Sequence, residues 1–190
     1  AGADCVKFQM RDLEALYRNP HLNNSDNEDL GSQYTIDLLI KYQLSNDNMY
    51  RIFDYCHKKG IMPLCTPWDQ PSVKLLDQYG LTGYKVASAD LLNHDLLKSI
   101  VATHKPMICS TGMSREEEII DTSKLLKDLG AQFALLHCNS TYPVPFKDIN
   151  LKYLERLSKI GMCVVGYSGH ERGINVAIAS LGFGAKIIEK

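Results

Sequence analysis

Two lysines and a set of hydroxyl side chains stand within or at the ends of short apolar runs, where they could bind an anion together. Lys7 and Lys85 lie inside such runs. A lysine in an apolar strand loses hydration, and an anionic partner offsets that cost. The hydroxyl groups at the ends of the runs belong to Thr66, Ser88, Ser110, Thr111 and Ser168. Ammonium and hydroxyl donors together suit a small, highly charged anion, such as a phosphate ester that also bears a carboxylate.

Two imidazoles stand near these groups but are interpreted differently. His170 follows Gly169 just after an apolar run, where an exposed imidazole can ligate a metal ion. His137 lies inside the run that ends at Cys138 and is interpreted as a hydrogen-bonded core histidine. Each hydroxyl at the end of a run also has an alternative role as the cap of the next helix, and the residues alone leave that alternative open.

Seven short apolar runs predict the strands that must position these side chains. They cover residues 5–10, 62–67, 84–88, 106–111, 133–138, 163–168 and 186–190. From the second run onward, the predicted strand-end residues fall 22 to 30 positions apart, the length of one strand, one helix and two loops; they are Thr66, Ser88, Ser110, Cys138, Ser168 and Lys190. This repeated unit predicts a parallel barrel or a doubly wound sheet. No run is followed by a GxGxxG or GxxxxGKS/T loop, which disfavours Rossmann and P-loop domains.

The 190 residues are predicted to form a single domain with one irregular segment. Residues 11–34 are rich in Asn, Asp and Ser and predict a long polar loop. A loop of this length is interpreted as a mobile cover over the site or as plain disorder. Elsewhere, four glycines are predicted to end helices: Gly60, Gly80, Gly130 and Gly161.

Composition excludes several classes of function. The formal charge of −1 implies no broad attraction to nucleic acid or to an anionic membrane. No run approaches the roughly 18 apolar residues that span a bilayer. The six cysteines form no CxxC pair, so neither a zinc site nor a disulfide framework is expected, and a reducing cytoplasm is the predicted location.

Several motifs, in order along nearly the whole chain, resemble the N-acetylneuraminate (sialic acid) synthase family. They are Val6-Lys7-Phe8-Gln9, Thr66-Pro67, Lys85-Val86-Ala87-Ser88, Ser110-Thr111-Gly112-Met113, the run from His137 to Phe146, Gly166 to Glu171, and Ile188-Glu189-Lys190. The resemblance implies an α/β fold, a (βα)8 TIM barrel. With seven of eight strands counted, the barrel is expected to be incomplete here, and the remaining strand is placed before residue 1.

The resemblance further implies a reaction. Such enzymes condense phosphoenolpyruvate with an N-acetylated aldose, such as N-acetylmannosamine, to give a nine-carbon 2-keto sugar acid and phosphate. A divalent metal, Mn²⁺ or Mg²⁺, holds and polarises the aldehyde as a Lewis acid. The complete protein is expected to be a homodimer.

The motifs carry residue roles over to this chain. His170 would ligate the metal and Tyr142 would contact the sugar, while Glu189 and Asp90 match carboxylates expected to serve in proton transfer. The groups expected to hold the phosphate and carboxylate, with Gln9 nearby, are Lys7, Thr66, Lys85, Ser88, Ser110 and Ser168.

Some positions depart from the family pattern and leave alternatives open. Asp90 is one methylene shorter than the glutamate of many relatives, and Gly169 replaces a frequent aspartate. The chain also ends one residue before the second metal histidine and lacks the antifreeze-like domain, so little synthase activity is expected of it alone. The alternatives are a related synthase of legionaminic or pseudaminic acid type, or a degenerate barrel that only binds a sugar phosphate or a partner protein.

Overall fold

The computed structural model describes residues 2–17 and 30–190, with only the backbone described for residues 30–35. The described residues form one parallel sheet of seven strands. The strands are β1 Cys5–Met10, β2 Met62–Pro67, β3 Tyr84–Val86, β4 Met107–Ser110, β5 Phe133–Cys138, β6 Val164–Ser168 and β7 Ile187–Glu189. The helices are α1 Leu13–Leu16, α2 Leu30–Tyr42, α3 Asn46–Lys58, α4 Gln70–Tyr79, α5 His94–Val101, α6 Glu116–Asp128, α7 Tyr153–Gly161 and α8 Asn175–Leu181.

The sheet is a curved half-barrel in which each strand pairs with the next one along the chain. β1 and β7 lie at opposite ends of the strand order. Even so, Lys7 Nζ on β1 is only 3.0 Å from Glu189 Oε1 on β7. A flat sheet of seven strands would hold these atoms far apart, since neighbouring strands are about 4.8 Å apart. The structure thus confirms the α/β parallel-barrel prediction, with seven strands present.

The two faces of the sheet have different chemistry because side chains alternate along each strand. One face packs against the helices with apolar residues such as Cys65, Val86 and Cys109, all 0% exposed. Lys85 is next to Val86 on β3, and Ser110 is next to Cys109 on β4, so both side chains point to the inside of the curve. Burial on both faces explains why the strands are continuous apolar runs in the sequence.

All four glycines predicted to end helices lie at helix ends. Gly60, Gly80 and Gly130 have φ angles of 69°, 90° and 68°, in the left-handed region that favours glycine. α7 ends at Gly161, but the left-handed residue there is Met162, with φ 49°. Gly161 is small for packing reasons: an added Cβ would lie 2.6 Å from Cys163 Sγ.

The prediction of a loop throughout residues 11–34 is wrong at both ends. α1 begins at Leu13, and the Asp12 side chain caps it by accepting hydrogen bonds from the backbone of Glu14 and Ala15. At the other end, α2 begins at Leu30. The predicted cover over the site falls on residues 18–29, which lie outside the described residues. Within the described ranges, no helix is long and apolar enough to cross a membrane.

Candidate active site

A cavity of about 240 Å³ lies at the carboxyl ends of the strands, inside the curve of the sheet. Every predicted site residue except Asp90 and Thr111 lines it. The lining residues are Lys7, Gln9, Thr66, Trp68, Lys85, Ala87, Ser88, Ala89, Ser110, Met113, Cys138, Ser140, Tyr142, Ser168, His170 and Glu189. Residues separated by up to 182 positions (189 minus 7) therefore meet at one place, where parallel barrels carry their active sites.

Two lysines and one glutamate form the charged centre of the cavity. Lys7 Nζ is 3.0 Å from Glu189 Oε1, and Lys85 Nζ is 3.5 Å from Glu189 Oε2. Lys85 is only 4% exposed and also donates hydrogen bonds to Ser110 Oγ at 2.6 Å and to the Val86 carbonyl at 2.9 Å. Two positive charges face one negative charge, a net +1, so this centre favours an added anion.

Burial and ion pairing shift the pKa values of this centre. Burial lowers the pKa of Lys85 from its ordinary value, and the nearby Glu189 carboxylate opposes part of that effect. Burial raises the pKa of Glu189, but the attraction of Lys85 and Lys7 outweighs it, and the pKa lies below its ordinary value. Glu189 is therefore a carboxylate at neutral pH, and it is the anion between the two lysines.

The hydroxyl groups of the predicted site divide into those that line the cavity and one that does not. Thr66 and Ser168 are 2% and 3% exposed and line the cavity wall. Ser88 Oγ also lines the cavity, but it accepts a hydrogen bond from the Gly112 backbone at 3.1 Å and so joins two loops. Thr111 does not line the cavity, and its Oγ1 donates to the Leu136 carbonyl at 3.0 Å. Thr111 thus has a structural role, but it binds β5 and does not cap the next helix, which was the alternative that the sequence left open.

His170 is held in a defined orientation beside Tyr142. Its Nδ1 is 2.8 Å from the Asn139 carbonyl, and its Nε2 is 2.8 Å from the Tyr142 hydroxyl. The two rings stack with centroids 3.9 Å apart. Because a carbonyl only accepts, Nδ1 must carry the proton, and Nε2 presents its lone pair to the tyrosine hydroxyl.

This tautomer suits a metal ligand, since ligating histidines commonly donate their other ring N–H to a carbonyl. A metal ion would also need further ligands. Across residues 2–17 and 30–190, no group of three His, Cys, Asp or Glu side chains could hold a metal ion together. His170 therefore fits as one ligand, and the described part of the chain does not complete a metal centre.

Asp90 is placed beside the cavity rather than in its wall. It lies in a short 3-10 turn, Ser88–Asp90, that follows β3. Its Oδ1 accepts a hydrogen bond from Asn93 at 3.1 Å, whereas its Oδ2 is buried without a partner. Burial raises the pKa of Asp90, and the Asn93 hydrogen bond opposes that shift. The predicted proton-transfer role of Asp90 remains a prediction.

His137 lies outside the cavity, on the face of β5 that packs against the helices. Its ring centroid is 5.5 Å from that of Tyr153 and 6.1 Å from that of Tyr167. Burial lowers the pKa of its imidazole. These contacts agree with its interpretation as a core histidine.

Two features of the site were not predicted. Trp68, directly after the Thr66-Pro67 strand end, lines the cavity. Glu171, directly after His170, has a fully buried carboxylate that accepts hydrogen bonds from Tyr167 at 2.8 Å and from Lys190 at 2.7 Å. Both residues follow predicted strand ends, and that position was the available signal for them.

Comparison with known proteins finds a matching family profile and relatives that include a sugar acid synthase. The profile described as "NeuB family" matches residues 1–190. All of the chain aligns with the uncharacterized protein MJ1065 of Methanocaldococcus jannaschii at 37% identity, covering 53% of that protein. It also aligns throughout with N,N'-diacetyllegionaminic acid synthase of Campylobacter jejuni at 33% identity, covering 58% of that enzyme.

A solved structure has the same fold. The N-acetylneuraminic acid (sialic acid) synthetase of Leptospira borgpetersenii, in complex with citrate, superimposes with a TM-score of 0.85 at 28% identity. The alignment covers 99% of this chain and 62% of that one. The chain spans little more than half the length of the curated relatives it matches. The profile match over every residue, together with the fold and the cavity, shows that this chain belongs to the NeuB family.

Proposed function

We propose that this chain carries the barrel site of an enzyme that condenses phosphoenolpyruvate with an N-acetylated aldose, such as N-acetylmannosamine. The products would be a nine-carbon 2-keto sugar acid and phosphate. The observation that carries the proposal is the convergence of Lys7, Lys85 and Ser110 on one cavity together with Glu189. Two ammonium groups, of which that of Lys85 is buried, leave a net positive charge that fits a ligand with both a phosphate and a carboxylate.

Phosphoenolpyruvate would bind by taking the place of Glu189 between the lysines. Lys7, Lys85 and Ser110 would donate to its anionic groups. The hydroxyls of Thr66, Ser88 and Ser168 line the same cavity and would complete the set of donors. Released from its ion pairs, the Glu189 carboxylate would lose the attraction that lowers its pKa and become better able to accept a proton.

The aldose would bind at the mouth of the cavity, where Tyr142 is 73% exposed. C3 of phosphoenolpyruvate would form a bond to the aldehyde carbon of the aldose, water would add at C2, and the C–O bond to phosphate would break. Glu189 would move a proton within the cavity. Asp90 would need a bridging water to take part, since it does not line the cavity.

A divalent metal, Mn²⁺ or Mg²⁺, is part of the proposal, with His170 Nε2 as one ligand. When bound, such a metal would supply Lewis acid chemistry at the aldehyde oxygen. The reaction would take place in the cytoplasm, and the complete protein would act as a homodimer.

A second candidate is a synthase that uses a different aldose. It is favoured by the 33% identity to an enzyme named for N,N'-diacetyllegionaminic acid. The charged centre serves the anion in either case, so both candidates share Lys7, Lys85 and Glu189. They differ in the aldose alone.

The test is release of phosphate from phosphoenolpyruvate, measured with Mn²⁺ or Mg²⁺ and with each aldose in turn. We expect release that depends on an aldose, even at the low rate that the sequence predicts for this chain alone. The aldose giving the greatest release separates the two candidates. Binding of phosphoenolpyruvate without release from any aldose, even after the segments expected before residue 1 and after residue 190 are supplied, would instead support the degenerate barrel.

A further inference from the structure

The Gln9 side chain is held at one atom by two donors from different parts of the chain. Trp68 donates its indole Nε1–H to Gln9 Oε1 at 3.1 Å. Arg11 donates from Nη2 to the same oxygen. The Arg11 guanidinium carbon also lies 5.0 Å from the centroid of the Trp68 ring, so the two donors support each other through a cation–π contact. Gln9 and Trp68 both line the cavity.

The chemistry of these donors fixes the orientation of the amide. An indole N–H and a guanidinium can only donate hydrogen bonds. The Gln9 atom that they contact must therefore be the oxygen, because the opposite orientation would set the amide NH₂ against two donors. The Nε2 group of Gln9 is consequently turned away from both Trp68 and Arg11.

We propose that Trp68 is a positioning residue, which fixes the Gln9 amide so that its Nε2 donates a hydrogen bond to an oxygen atom of the bound substrate. The identity of that substrate, phosphoenolpyruvate or the aldose, rests on the proposed function. The orientation of the Gln9 amide does not rest on the proposed function. A phenylalanine at position 68 could still stack against Arg11 but could not donate to Gln9.

The orientation can be tested without any ligand, because Trp68 is the only tryptophan in the chain. A ¹H–¹⁵N spectrum of the chain therefore contains a single indole N–H resonance. In Gln9→Ala the indole N–H has lost its acceptor, so we expect its resonance to move upfield. We also expect the indole proton to exchange with water several-fold faster. Gln78→Ala, an exposed glutamine on α4, is the control and should change neither. An indole resonance that is the same in Gln9→Ala and in the unaltered chain would overturn the proposal.

The role in binding can be tested with a double-mutant cycle of Trp68→Phe and Gln9→Ala. Calorimetric titrations would use phosphoenolpyruvate alone, and then N-acetylmannosamine in the presence of phosphoenolpyruvate. We expect Trp68→Phe to weaken binding of one of the two by roughly five- to ten-fold, the effect of one hydrogen bond. It should weaken binding no further when Gln9 is already alanine.

Each outcome of the cycle decides something. The ligand that responds identifies the substrate that Gln9 contacts. An equal loss in both backgrounds, or no loss for either ligand, would overturn positioning through Gln9. If the unaltered chain binds neither ligand, the proposed function fails, and the indole resonance still decides whether Trp68 orients Gln9.

Discussion

Glu189 is the residue on which the charged centre of the cavity depends. Its carboxylate keeps Lys7 and the buried Lys85 paired while no substrate is bound. A carboxylate between two ammonium groups is stabilised in its charged form, so its pKa in the folded protein lies below the ordinary value of 4.5. A group with a depressed pKa contributes stability above its unfolded pKa and loses that contribution as the pH falls through its folded pKa.

Glu189→Gln should therefore destabilise the protein at pH 7 but not in acid. At pH 7 the substitution leaves Lys85 buried without its counter-charge, and we expect a loss of about 1–3 kcal/mol in the free energy of unfolding. As the pH falls below about 4.5, the unaltered protein loses the same ion pairs by protonation, so the two unfolding free energies should converge. Urea unfolding at a series of pH values measures both quantities.

Glu155→Gln on the exposed side of α7 is the matched control, because Glu155 forms no ion pair with the cavity lysines. It should change the free energy of unfolding little at any of these pH values. A difference between Glu189→Gln and the unaltered protein that stays constant from pH 7 to pH 3 would contradict the ion-pair account.

The sequence predicted cavity residues wherever the strand end itself carried the side chain. Lys85 and Ser110 belong to this group, since a lysine or hydroxyl at a strand end can be identified from the strand pattern alone. The contact of Trp68 with Gln9 could not be predicted, because it joins Gln9 on β1 to a residue 59 positions away, directly after β2. Asp90 lies in a 3-10 turn, and its carboxylate accepts a hydrogen bond from Asn93. The strand pattern carries no information about the position of this turn.

Among the elements, the junction after β6 is closely packed. Its Gly169 lies against Tyr167 and against the Glu171 carboxylate that binds Lys190. An added Cβ would lie 2.7 Å from the Tyr167 ring and 2.8 Å from Glu171 Oε2. The hydrogen bond between Tyr167 and Glu171 thus occupies the space that a larger side chain at position 169 would need.

Gly169→Ala should destabilise the protein by about 1–3 kcal/mol, because the added methyl group forces the Tyr167 ring and the Glu171 carboxylate to move. The control is Gly182→Ala at the end of α8, where the nearest atom would be 3.3 Å away and φ is −65°. Urea unfolding should show a small change for the control. Equal stabilities of Gly169→Ala and the unaltered protein would show that this junction adapts freely.

Element boundaries were predictable where apolar runs define them and not where polar residues do. All seven strands lie within or coincide with the predicted runs, since strands that are largely buried, such as β2 and β5, are apolar for most of their length. The beginning of α1 was missed because Asp12 was counted as part of a polar loop, whereas it serves as a helix cap. α7 ends at Gly161 as predicted, but Gly161 is small to fit Cys163, and Met162 adopts the left-handed conformation.

At the scale of the whole molecule, the described sheet has two edge strands, β1 and β7. Each is paired on one side only, whereas β4 and β5 are paired on both sides. The substrate cavity includes residues of both edge strands, so part of the site lies on the least supported part of the sheet. The ion pair between Lys7 and Glu189 is the contact that joins the two edges in the cavity.

Amide hydrogen exchange should therefore be faster in β1 and β7 than in β4 and β5. Strands paired on one side open more easily than those buried in the middle of a sheet. Addition of phosphoenolpyruvate should slow exchange in the edge strands most, since it would bind Lys7 on β1 beside Glu189 on β7. Mass spectrometry of peptides covering each strand measures these rates. Uniform protection across all seven strands would contradict this description of the sheet.

The central claim is that the cavity binds phosphoenolpyruvate through its two lysines. A titration followed by the fluorescence of Trp68, the only tryptophan, tests it most directly because that ring lines the cavity. We predict a saturable change in the unaltered chain and in Lys105→Met, which removes a surface ion pair with Asp77. In Lys85→Met we predict binding weakened by roughly ten-fold or more, the loss of a charged hydrogen bond. No response in the unaltered chain, or the same titration curve in Lys85→Met, would contradict the claim.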